Sequence, residues 1–354
     1  GTPGINNQGT RAANPPGRGG ACFDSPYGFT TVHADSQLVS YYKQLNVCWV
    51  RYQFHWAKGS GQKPGIESAP GKYDWSQLDP AITTLNAAGI HIDFAIQDAP
   101  DWERSQICAA TGQHFLPGPT EMKNFAQLIA SRYNGNNGHG YIDAFEIGNE
   151  EFDNYYVKNT PSSESCRSAN YYGDVLKAGY QAIKAANPKA LVGMFGMWWH
   201  NLPHIKDYMT YLFSHGYGQY MDYMNFHYYH SGEDPSVTDG DNPSFDLQWQ
   251  TMHSVAAQYG FGTKPIWVTE TGWSTDANPN AKAGVSDHAV SVTTQANYMQ
   301  YILNESAKSG VVTKVFWFTI NSPNEAHNIY LPNGSPLPAV QVLTSMIRQK
   351  VAWR

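Results

Sequence analysis

Eight short apolar runs, each followed by a longer segment of helical period, constrain this chain more than any other feature. The first four runs are "YGFTTVH" from Tyr27, "VCWVRYQFHW" from Val47, "IHIDFAIQ" from Ile90 and "IDAFEIGNE" from Ile142. "ALVGMFGMWW" from Ala190, "MDYMNFHYY" from Met221, "KPIWVTETGW" from Lys264 and "VTKVFWFTI" from Val312 complete the set. Between them, segments such as "DSQLVSYYKQL", "EMKNFAQLIASRY" and "QANYMQYILNESAKSG" carry the helical repeat, and several end in Gly or Asn-Pro, the usual stop signals. Strands that are apolar along their whole length are buried on both faces, as in a parallel sheet covered by helices. The pattern predicts an α/β fold, a single (β/α)8 TIM barrel over residues 25–354, with an irregular Gly/Pro-rich extension over residues 1–24 and long βα loops. A doubly wound open sheet is the rival, but no Gly-rich phosphate turn follows the first strand.

A barrel of this kind builds its site at the C-terminal ends of the strands, and polar and aromatic side chains collect there. The second run ends in Gln53, His55 and Trp56; the third leads into Gln97, Asp98 and Trp102; the fourth ends in Asn149 and Glu150. Later runs end in Trp198 and Trp199, in His227 and Tyr229, in Glu270 and Trp273, and in Trp317.

Glu150 and Glu270 are the carboxylates that matter most. They stand 120 residues apart in sequence, yet the fourth and seventh strands face each other across one barrel mouth. A facing carboxyl pair suits cleavage of a glycosidic bond, where one group protonates the leaving oxygen and the other attacks the anomeric carbon or activates water. Glu146 shares the strand parity of Glu150 one layer deeper, which predicts a buried ion-pair partner for Arg51; Arg51 lining the floor of the site is the alternative. Glu151 and Asp153 fall past the strand and read as solvated loop acids, although a register slip by one would put Glu151 in the place of Glu150.

"FEIGNE" followed by "WVTETGW" resembles the signature of the clan A glycoside hydrolases, which are retaining (β/α)8 enzymes. Together with "NVCWVRYQFHW", "GKYDWSQLDPAITTLNAAGI" and "NFHYYH", the chain is most similar to glycoside hydrolase family 39 and its relatives. The resemblance implies Glu150 as general acid/base and Glu270 as nucleophile. It further implies that Asn149 binds the sugar 2-hydroxyl, that Tyr229 donates to Glu270 with His227 beside it, and that no cofactor is needed. Glu151 stands where the clan usually has Pro, and Gly148 where the family often has Trp.

The remaining features bear on partners and compartment. With 23 basic against 29 acidic residues and no basic block, the chain carries no electrostatic footprint for nucleic acid, and no apolar run is long enough to cross a membrane. Its first residues are unlike a signal peptide, so either a signal was removed before this numbering or there was none. Low charge and 14% aromatic residues, with 11 Trp and 23 Tyr, fit a secreted monomer acting on an oligo- or polysaccharide, since flat rings stack on sugar faces. Trp49 and Trp75 read as core. Trp56, Trp102, Trp198, Trp199, Trp273 and Trp317 read as sugar platforms, with Trp317 the floor of the cleaving subsite.

His55 is assigned to substrate binding. No His spacing among His55, His200, His227 and His230 matches a metal motif, so no metal is expected. Cys22, Cys48, Cys108 and Cys166 allow three pairings. Placing Cys108 and Cys166 on neighbouring loops pairs them and leaves Cys22 with Cys48, while a buried free thiol is the alternative for Cys48. Asn304 and Asn333 lie in N-x-S sequons. Two other functions remain open on sequence: a carbohydrate-binding barrel without turnover, and a metal-dependent barrel hydrolase or isomerase.

Overall fold

The eight expected strands all form and lie parallel in one sheet. The computed structural model describes residues 22–32, 34–57, 65–103, 117–150, 169–198, 201–230, 232–277 and 288–349. In chain order the barrel strands are β1 (Tyr27–Thr31), β2 (Trp49–His55), β5 (His91–Gln97), β6 (Ala144–Ile147), β7 (Leu191–Gly193), β8 (Met224–Tyr228), β9 (Ile266–Thr271) and β10 (Val312–Trp317). A small antiparallel hairpin, β3 (Glu67–Ala69) and β4 (Lys72–Tyr73), rises from the loop after β2. The sheet order is β7-β6-β5-β2-β1-β10-β9-β8. A parallel bridge between Met197 and Phe226 joins its two edges, so the sheet closes.

Among the described residues eight α-helices surround it: α1 (Ser36–Leu45), α2 (Leu78–Ala87), α3 (Pro119–Arg132), α4 (Ala169–Ala186), α5 (Leu202–Ser214), α6 (Phe245–Gln258), α7 (Val292–Ser309) and α8 (Pro338–Arg348). Their starts follow local chemistry. Asp35, Asn201, Ser244 and Ser291 each accept a first-turn backbone N–H, and Pro opens α3 and α8 where its missing N–H costs nothing.

Strand alternation divides the buried side chains between two cores. The larger lies between strands and helices and holds most of the aliphatic residues. The smaller fills the bottom of the barrel with Trp49, Tyr223, Trp267 and Phe316. Lys314 lies 4.3 Å from the centroid of Trp49 and donates to the carbonyls of Phe23 and Ser25, so its charge is satisfied at the barrel floor. Phe23 belongs to that floor too, and the Cys22–Cys48 disulfide ties it down, with Cα atoms 5.4 Å apart. That bond bears out one expected pairing. Cys108 and Cys166 lie outside the described residues.

Candidate active site

The site is built at the ends of β2, β6, β8 and β9, and its aim depends on backbone geometry just past β6. Gly148 takes φ 95°, Asn149 follows, and Glu150 takes φ 53°, left-handed conformations that turn the chain sharply inward. Glycine adopts such a φ freely, whereas a glutamate there is strained and must be held. Two contacts hold it: the Glu150 N–H donates to the Phe195 carbonyl at 2.7 Å, and His227 Nδ1 donates to Glu150 Oε1 at 2.5 Å. Gly196 makes room for that histidine, because a Cβ at this position would lie 2.3 Å from His227 Nε2.

Glu270 is buried at the end of β9 and is ringed by donors. Arg51 Nη1 and Gln53 Nε2 reach its Oε1 at 2.6 and 2.7 Å, and the Tyr229 hydroxyl donates to Oε2 at 2.7 Å. Burial, followed by the negative charge of Glu270, pushes the Tyr229 phenol well above its ordinary range, so it remains a neutral donor. His227 Nδ1 lies 3.7 Å from Glu270 Oε2, between the two glutamates. Carboxylate oxygens of Glu150 and Glu270 and this nitrogen all lie within 4.8 Å of one another.

The same three atoms form the one group among the described residues spaced to hold a metal ion. The Arg51 guanidinium 2.6 Å from Glu270 supplies positive charge there already and opposes a second cation.

Beneath the site Arg51 is fully buried and spans the barrel lumen. Its Nε and Nη2 grip both oxygens of Glu146 at 2.9 and 2.8 Å, and Nη2 also donates to Asn149 Oδ1 at 2.7 Å. Burial disfavours its charge, but the carboxylates of Glu146 and Glu270 more than offset this and hold Arg51 protonated. The expected Glu146 ion pair is therefore present, and Arg51 lines the site floor as well.

The remaining predicted residues divide. His55, at the end of β2, pairs through Nδ1 with Asp98, which takes φ 57° just past β5. Trp102 and Trp198 stand at the rim, 44% and 42% exposed. Trp317 and Trp273 do not line the mouth. Both are buried between strands and helices, Trp317 against Met299, Leu303 and Leu343, and Trp273 against Tyr228, Tyr298 and Trp317. The cause is strand parity: Lys314 and Phe316 point into the barrel, so Trp317 points out. Phe318, one residue on, takes the inward register and packs beside Tyr229 and His327. Trp56 is likewise buried, stacked on Phe125 at 3.9 Å. Trp199, His200, Glu151 and Asp153 lie outside the described residues. Phe318 and His327 had no place in the expected site, and Gln53, named among the strand-end residues, had no role assigned to it. The signal for Gln53 was its spacing of two from Arg51, which puts both on one face of β2.

A closed eight-stranded barrel with facing acids at its C-terminal mouth is a frame that suits cleavage of a glycosidic bond, and the chain builds that frame. It belongs to the glycosyl hydrolase catalytic core family, whose model matches residues 161–342, a stretch holding His227, Tyr229 and Glu270 and leaving out Glu150. No curated protein sequence matches. Among solved structures, a family 39 glycoside hydrolase from the gut symbiont Bacteroides cellulosilyticus WH2 aligns at TM-score 0.62 and 16% identity. The alignment covers 90% of this chain and 62% of that enzyme, so the chain spans under two thirds of its length. The family 39 enzyme of Xanthomonas axonopodis pv. citri gives 0.61 at 16% identity, over 97% of this chain and 72% of the other. A monomeric β-xylosidase from Caulobacter crescentus CB15 gives 0.59 at 17%, over 95% and 69%. At such identities the likeness is one of fold.

Proposed function

We propose that the chain is a retaining β-glycosidase that cleaves a plant or microbial glycan by double displacement. The observation that carries this reading is the spacing of Glu150 and Glu270, whose oxygens approach within 4.8 Å. Retaining enzymes hold their carboxyl groups about 5–5.5 Å apart, whereas inverting enzymes need about 6.5–9.5 Å to admit a water. Glu270 attacks the anomeric carbon while Glu150 protonates the departing oxygen; Glu150 then deprotonates the water that releases the sugar.

The surroundings fit these roles. Arg51, Gln53 and Tyr229 hold Glu270 with three donors, which fixes the orientation of its carboxylate for attack. Among the described residues it is His227 that tethers the Glu150 side chain, which is 32% exposed and so can reach water between the two steps. Asn149 binds the 2-hydroxyl of the sugar being cleaved, and His55, Trp102 and Trp198 contact neighbouring units. The protein is secreted and acts as a monomer on an oligo- or polysaccharide; the Cys22–Cys48 disulfide supports an oxidising destination.

Aryl β-glycosides test the assignment, with xylosides tried first because one structural neighbour is a β-xylosidase. Glu270→Ala abolishes turnover and regains it with azide, giving an α-glycosyl azide. Glu150→Ala keeps activity only on substrates with good leaving groups and with azide gives the β-azide. No hydrolysis of any β-glycoside by the wild type would favour a binding barrel without turnover, and loss of activity to chelators would favour a metal enzyme.

A further inference from the structure

Asp93, Glu146 and Glu270 are three buried carboxyl groups arranged around the Arg51 guanidinium. Were all three ionised, the lumen would carry two uncompensated negative charges away from water, an arrangement that proteins avoid by protonating a member of the set.

The hydrogen bonds identify which one. Glu270 has three donors, and Glu146 receives both prongs of Arg51. Asp93 Oδ1 accepts from the Tyr223 hydroxyl at 3.0 Å, but its Oδ2 is enclosed with no N–H or O–H of the described residues directed at it. Asp93 pairs in register with Arg51 across β2 and β5, and with Ala144 across β5 and β6, so that Glu146 stands one layer above it on the neighbouring strand and on the same face. Two buried carboxylates so placed repel unless one of them holds a proton.

We propose that Asp93 and Glu146 share one proton, so that the pair carries a single negative charge and acts as a positioning group for Arg51, which divides its charge between that pair below and Glu270 above. The link to catalysis rests on the reading of Glu270 as nucleophile. Burial, then the charge of Glu146, raises the Asp93 carboxyl far above its ordinary range, in keeping with the proton residing there. The other groups facing Asp93 do not compete for it. Tyr223 is itself kept neutral by burial. One layer lower on the same strand His91 is bound to Asp143, and Lys314 is bound to the Phe23 and Ser25 carbonyls.

The arrangement has a consequence for the site. One negative charge on the lower pair is enough to anchor Arg51 bidentately, which aims Nη1 at Glu270 and Nη2 at Asn149. A second charge would draw the guanidinium's field away from Glu270, and none would leave Glu270 over-stabilised as an ion and a poorer nucleophile.

Asp93→Asn tests this, because the amide N–H reproduces a protonated carboxyl donating to Glu146. The acid limb of its kcat/KM profile stays within about 0.3 pH unit of wild type, whereas in Asp93→Asn/Glu146→Gln, which removes the pair's charge, the limb moves about one unit lower. If Asp93→Asn alone moves the limb lower by clearly more than that ~0.3 unit, the pair carries two charges and the proposal fails; it fails equally if the double variant does not move it.

A second measurement needs neither turnover nor the double variant. At pH 7 the infrared difference between wild type and Asp93→Asn contains the C=O band of a protonated carboxylic acid, shifted in D2O. Absence of that band overturns the shared proton even where Glu270 is the nucleophile. Its presence in a protein whose Glu270 variants remain active would sink the reading of the site and leave the proton.

Discussion

The floor and the mouth of the barrel are built from the same strands, and both place a cation in the lumen, yet they treat it in opposite ways. At the floor Lys314 donates to the backbone carbonyls of Phe23 and Ser25 and lies over Trp49. At the mouth Arg51 is shared among Glu146, Glu270 and Asn149, and three carboxyl groups compete for it. Carboxyl groups gathered round one guanidinium make each ionisation depend on the others. Two left-handed residues, Asp98 and Glu150, lie at the mouth, each held by a histidine.

Several variants break or sharpen that contrast. The largest effect is expected from Arg51→Met, which strands buried carboxylates: about 3–5 kcal/mol of stability should be lost, with turnover down at least ~10³-fold as Glu270 and Asn149 lose their common anchor. Denaturant titration and steady-state kinetics measure the two. Trp317→Ala should cost about 3–5 kcal/mol through the cavity it leaves between strands and helices, while kcat of the remaining folded enzyme changes little; a KM effect without a stability effect would return Trp317 to the subsite.

Removing the floor disulfide with Cys22→Ser/Cys48→Ser frees a segment closed over a sequence separation of 26. Chain entropy puts the loss near ~3.5 kcal/mol, and catalysis should survive in the protein that remains folded. Trp102→Ala, at the exposed rim, should leave the melting temperature in place and raise KM several-fold, about 1 kcal/mol.

The smallest effect concerns pH. Asp93 binds its proton more tightly folded than unfolded, so its contribution to stability is complete below about pH 3.9, the ordinary aspartate value, and is lost as pH rises toward its raised folded value. Asp93→Asn removes this dependence, and its melting temperature should gain on wild type between pH 4 and pH 7. A constant difference across that range would mean that Asp93 is ionised in the fold.

Much of this architecture is legible in the sequence, and the failures have physical causes. The eight strands stand out because each is a short run rich in apolar and aromatic residues, and the helices because their buried stripe repeats. The hairpin Glu67–Tyr73 does not stand out, since strands of three and two residues carry no period. Strand β7 ends at Gly193, well short of its apolar run, because Gly196 turns the chain at φ 60° beside His227.

Glu150, Glu270, Asn149, His227 and Tyr229 meet at the mouth because strand ends converge there whatever their exact register. The tryptophans were harder to read. An aromatic residue suits a sugar platform, a barrel floor or the strand–helix layer equally well, and a one-residue shift in parity moved Trp317 from one to another. Composition counts rings and says nothing of the face they occupy.

The most direct test of the central claim is the anomeric configuration of the first product, followed by proton NMR before mutarotation sets in. Attack by Glu270 with Glu150 close beside it predicts that the β-anomer appears first from a β-glycoside. An α-anomer appearing first would mean a single displacement by water, and the pair of glutamates would not act as described.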